Sequence, residues 1–79
     1  MRKLAKIRTE KGMVQKDVAL KAGVSRAFYT QVETGVRVPS LPIAKSIADA
    51  LGISLDTFFY ALEVTYRDPK QELERGFNL

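Results

Sequence analysis

The sequence predicts an all-α domain of five short helices with a short C-terminal extension. Two observations carry this. Gln15 to Val32 reads as two short helices joined by a glycine turn, with Ala19 small where helices would cross and Gly23 four residues later. Elsewhere, apolar residues recur at helical spacing in stretches that end at Gly12, Gly35 and Gly52.

The elements follow in order. The first helix is expected from about Arg2 to Lys11, with Leu4, Ile7 and the methylene stem of Lys11 inward and Arg2, Lys3 and Lys6 outward. Gly12 stops it and Met13 tucks into the core. The second runs from about Gln15 to Ala22 and the third from about Arg26 to Thr34, with Ser25 as N-cap and Gly35 as the closing residue. Val18, Ala22, Val24, Tyr29 and Val32 supply their buried sides. Ser40 should cap a fourth helix with Pro42 in its first turn, and Ile43, Ala44, Ile47, Ala48 and Leu51 form its buried stripe. Ser54 caps a fifth, helped by Asp56 near its positive end, which carries Leu55, Phe58, Phe59 and Leu62. Beyond it, Val64-Thr65-Tyr66 has strand-like composition, and Lys70 to Arg75 reads as a short helix ended by Gly76. Residues 1–62 are thus expected to form the domain and 63–79 the extension.

Seventy-nine residues make one small core, so a second copy is a plausible stabilising partner. The chain has no cysteine and no histidine, which excludes disulfides and the usual zinc ligands, along with thiol and imidazole catalysis. No carboxylates cluster in a plausible cleft, so the chain is expected not to be an enzyme and to need no cofactor or metal. No apolar run reaches the roughly 18 residues of a membrane span, and the basic start lacks the apolar core of a secretory signal. The expected location is a reducing cytoplasm.

The formal charge of +4 hides an asymmetry. Residues 1–45 hold ten Lys or Arg against three acids, whereas residues 46–79 hold three against six. Alone, a basic half is equally a solvated surface. Beside a two-helix pattern with Arg26 and Gln31 on the exposed side of its second helix, it points to duplex DNA. Arg pairs with guanine and Gln with adenine in the major groove.

The order and spacing of particular residues resemble the Cro/CI-type (XRE-like) helix-turn-helix family. The matching residues are Ile7-Arg8, Lys11-Gly12-Met13, Gln15, Val18-Ala19, Gly23-Val24-Ser25, Val32-Glu33, Gly35, Pro39-Ser40-Leu41, Ala48, Ala50 to Asp56 and Phe58-Phe59. They cover about residues 4–60. The resemblance implies a lambda-repressor-like fold and sequence-specific DNA binding, usually by dimers; the family includes phage repressors, restriction–modification controllers and antitoxins.

By family position, Gln15 meets a DNA phosphate, which suits the free N–H groups of a helix start. Val14 stands where the family has Thr and cannot cap. Arg26, Ala27 and Gln31 fall where base edges are read: Arg26 on guanine or else on a phosphate, Ala27 on a thymine methyl, and Gln31 on adenine. Ser25 and Thr30 lie beside them, Thr30 on a phosphate. Phe28 replaces a small polar residue, and either presses on thymine methyls and sugars or covers the scaffold. Tyr29 replaces Ile or Val at a core position, with its hydroxyl expected to find a polar partner or the edge. Arg37 and Lys45 are placed for phosphates, although Val36 and Val38 make the loop less basic than the family's. Arg8 and Glu33 occupy positions that form a structural ion pair.

Phe58, Phe59, Tyr60 and Leu62 exceed what so small a core is expected to hide, so they are assigned to a homodimer interface that the extension either joins or covers. A two-fold dimer would set two recognition helices about 34 Å apart on a pseudo-palindromic operator. The leading expectation is a transcriptional regulator such as a repressor, binding double-stranded DNA and no membrane. The alternative is an antitoxin that represses its own operon and meets a protein partner through its acidic, aromatic tail.

Overall fold

The computed structural model describes residues 1–63, in which five helices and no strands occur. They are α1 (Lys3–Glu10), α2 (Gln15–Ala22), α3 (Arg26–Glu33), α4 (Leu41–Leu51) and α5 (Leu55–Leu62). The expectations for Val64-Thr65-Tyr66, for Lys70 to Arg75 and for the role of the tail lie outside the described residues.

Each helix buries one stripe. α2 lies against both α3 and α4, while α5 packs on α1 and α4. Leu4, Val18, Tyr29, Val32, Ile47, Leu51 and Phe58 are fully buried where these faces converge. Ala19 is buried in α2, where a methyl lets neighbouring helices approach. Ile7, Met13, Ile43, Leu55 and Phe59 are half-buried and close the margins of the same cluster.

Local chemistry sets the helix ends. Ser25 Oγ accepts from the Phe28 N–H at 3.0 Å, and Ser54 Oγ accepts from the Thr57 N–H at 3.1 Å. Ser40 holds the N-cap position of α4 but makes no side-chain cap bond. Pro42 explains the tolerance, because in the first turn its ring removes an N–H that would otherwise need an acceptor. Gly23 turns the chain between α2 and α3 at φ 75°, a left-handed conformation that costs any residue with a Cβ. There the Val24 N–H returns to the Ala19 carbonyl at 3.0 Å.

Two expectations are corrected. The Lys11 stem does not face inward: Lys11 is exposed beyond the end of α1, and Met13 takes the inward place. Phe58 and Leu62 are not surplus surface. Phe58 is 0% exposed and Leu62 8%, because α5 lies across α1 and α4 and turns both side chains into the single chain's core. Phe59 is half-buried against the same core, with its ring edge-on to that of Phe58. Of the four residues assigned to a dimer interface, Tyr60 alone is exposed, at 66%.

Candidate nucleic-acid interface

α3 divides its residues between two faces. Tyr29, Val32 and Glu33 are buried, whereas Arg26 and Ala27 are exposed and Phe28, Thr30 and Gln31 half-buried. An eight-residue helix with one side in the core and a polar side in solvent can enter a groove without unfolding anything.

Polar side chains hold that helix in place from beneath. Arg8 on α1 reaches Glu33 with two parallel bonds, Nε to Oε2 at 2.9 Å and Nη2 to Oε1 at 3.0 Å. Its third nitrogen, Nη1, donates to the Met13 carbonyl at 2.8 Å, which ties the α1–α2 turn into the same knot. Gln15 at the start of α2 donates from Nε2 to Glu33 Oε1 at 3.1 Å. Thr30 Oγ1 in turn donates to Gln15 Oε1 at 3.1 Å. The carboxylate of Glu33 therefore joins α1, α2 and α3.

The electrostatics follow from this packing. Burial pushes the Glu33 carboxyl up, but the Arg8 guanidinium and the other donors around it outweigh burial and hold it below the ordinary carboxylate range. The same hydrogen bond raises Arg8, so both partners stay charged. The Tyr29 hydroxyl is buried near this pair and outside hydrogen-bond geometry, with no partner among the described residues. Burial above all, with the Glu33 carboxylate close by, pushes it above its ordinary value.

The outer residues change in meaning once placed. Thr30 donates its hydroxyl proton to Gln15, so in the chain without DNA that proton is engaged internally and not held out toward a phosphate. Gln15 keeps one side-chain N–H and the main-chain N–H groups of the α2 start, where Val14 offers no cap. Ser25 accepts the Phe28 N–H and retains its own O–H as a donor. Phe28 packs on the core margin, and the Arg37 guanidinium sits over its ring at 5.5 Å, so the scaffold-covering alternative describes it. Arg37 Nε also donates to Gln31 Oε1 at 3.0 Å. Arg26 and Lys45 are exposed, on α3 and α4 respectively.

Sequence reasoning placed α3 and put Arg26 and Ala27 on its exposed side, but missed the links among the polar side chains. Nothing in residue type announces that Thr30 bonds to Gln15 or Arg37 to Gln31, because both contacts join elements separated by a turn. It also passed over Leu20, which is 77% exposed on α2.

The family model for helix-turn-helix matches residues 4–58, which run from α1 into α5. The chain is 47% identical over 60 residues to an uncharacterized HTH-type transcriptional regulator, YqaF, of Bacillus subtilis (strain 168), with 75% of this chain and 79% of that protein covered. It is 37% identical over 59 residues to another, y4dJ, of Sinorhizobium fredii (strain NBRC 101917 / NGR234), with 68% and 77% covered. Five helices with this arrangement, a match across most of the chain and relatives of this identity show that the chain belongs to the Cro/CI-type (XRE-like) helix-turn-helix family of DNA-binding proteins.

Proposed function

We propose that this chain is a transcriptional regulator that lays α3 in the major groove of a duplex operator. The observation that carries this reading is the pairing of exposed Arg26 and Ala27 on α3 with a buried opposite face held to α1 and α2 through Glu33. Arg26 is the guanine reader, and Ala27 meets a thymine methyl. The α2 start at Gln15, the free hydroxyl proton of Ser25 and the Lys45 ammonium hold phosphates. The reading needs no cofactor, and it places the work in the cytoplasm.

The working form in this proposal is a homodimer on a pseudo-palindromic site. One eight-residue helix reads only a few base pairs, and a two-fold partner doubles the readout. Tyr60, the exposed one of the four α5 residues assigned to that contact, is offered for it, with the Lys3 ammonium 4.2 Å from its ring centroid.

The test is selection of bound sequences from random duplex DNA, followed by titration of variants on the selected site. Arg26→Ala should cost about 1–3 kcal/mol per half-site on that DNA and little on random DNA. Lys45→Ala should weaken both alike and lower the salt slope by about one unit. Equal loss on both DNAs with Arg26→Ala would remove it as a base reader; selection of no motif would remove the reading altogether.

A further inference from the structure

Arg37 folds back onto α3 instead of reaching outward. The Val36 and Arg37 N–H groups both donate to the Gln31 carbonyl, at 2.9 and 3.1 Å, which pins the loop to the end of the helix. The Arg37 side chain then meets two residues one helical turn apart. Its guanidinium lies over the Phe28 ring, and its Nε donates to the Gln31 side-chain oxygen at 3.0 Å.

That last bond fixes an orientation. An arginine Nε–H can only donate, so the amide atom facing it is the carbonyl oxygen. The NH2 group, on the other branch of the planar amide, is what remains for a base. Bidentate pairing of glutamine with adenine needs the oxygen free to accept from N6 while the NH2 donates to N7. Here Arg37 takes one of that oxygen's two lone pairs, and the positive charge of its guanidinium opposes the approach of a second N–H donor such as N6. Guanine presents N7 and O6, both acceptors, and so takes the NH2 protons without making any demand on the oxygen.

We propose that Arg37 is a positioning residue that presents the Gln31 NH2 to the groove, so that Gln31 selects guanine over adenine at its base pair. This rests on the DNA-binding reading above and reverses the adenine preference that residue type alone suggests. Phe28 serves the arrangement by giving the guanidinium a face to rest on, which limits its swing.

The experiment is selection from random duplex DNA, run with the full chain and with Gln31→Ala, Arg37→Met and Phe28→Leu, each checked by thermal melt. Gln31→Ala identifies the base pair concerned, because preference flattens there and persists at the Arg26 position. The unchanged chain should favour guanine at that pair. Arg37→Met should move the guanine-to-adenine ratio toward adenine by about fivefold or more, the low end of what a bidentate contact is worth. Phe28→Leu should move it the same way by less, and it keeps the test open should Arg37→Met fail to fold. Adenine preference in the unchanged chain overturns the proposal. So does an unaltered ratio in either folded variant with uniformly weaker binding, which would make Arg37 a phosphate clamp. A chain that selects no motif overturns the DNA-binding reading itself, and that result differs from a motif whose Gln31 position ignores Arg37.

Discussion

Arg8 grips both carboxylate oxygens of Glu33 across 25 residues of sequence, and both side chains are largely out of water, 13% and 5% exposed. A glutamate on a helix proposed to enter DNA would repel phosphate if left alone. Buried against a guanidinium that also holds the Met13 carbonyl, it becomes the fastening of that helix.

Glu33→Gln leaves Arg8 buried beside a neutral partner, and loss of one member of a buried pair costs up to about 3–5 kcal/mol, against about 0–1 for exposed pairs. Binding to random DNA should rise meanwhile, since a negative charge near phosphate is gone. Chemical denaturation of Glu33→Gln, Arg8→Met and the double variant measures the coupling. A coupling near zero would mean that the contact contributes nothing to the fold.

Acid should act through the same group. The folded carboxyl of Glu33 lies below its ordinary value of 4.5. A depressed acid contributes stability that is fully present above its unfolded pKa and is lost as pH falls through the folded one. The unchanged chain should therefore lose stability more steeply than Glu33→Gln below about pH 4.5, and the gap between their melts should narrow. Parallel curves would rule Glu33 out as the responsible titration.

Tyr29 offers the opposite expectation. Its hydroxyl is buried without a hydrogen-bond partner among the described residues, so it bears a desolvation cost with no compensating bond. Tyr29→Phe should be neutral or stabilising by up to about 1 kcal/mol. It should also hold up better at alkaline pH. A folded pKa raised above the ordinary 10.0 means stability present below that value and lost as pH climbs above it. A clear fall in melting temperature at neutral pH would indicate that the hydroxyl contributes after all.

Phe58 and Tyr60 should separate folding from association. Phe58→Ala opens a cavity in the core and should cost about 3–5 kcal/mol at any protein concentration. Tyr60→Ala should leave the single chain's stability within about 1 kcal/mol and weaken self-association in sedimentation. A dimer indifferent to Tyr60 would move the interface elsewhere.

What the sequence by itself determined was the punctuation and the faces. Gly23 and Gly52 end helices at positive φ, Ser25 and Ser54 cap them, and the apolar spacing of α2, α3 and α4 names their buried sides. These are local properties, decided within one or two turns of helix, so residue type and spacing suffice to read them. Arg26 and Ala27 were legible for the same reason, as positions on the polar side of an amphipathic helix.

Only the tertiary structure decided which long side chains meet. Phe58 and Leu62 looked like excess because counting apolar residues says nothing of how α5 crosses α1 and α4. Thr30 bonds to Gln15 and Arg37 to Gln31, because each found a partner on another element. A flexible polar side chain has many reachable partners along a sequence. Packing removes all but a few, and the hydrogen bond goes to whichever group the helices bring within 3 Å or so.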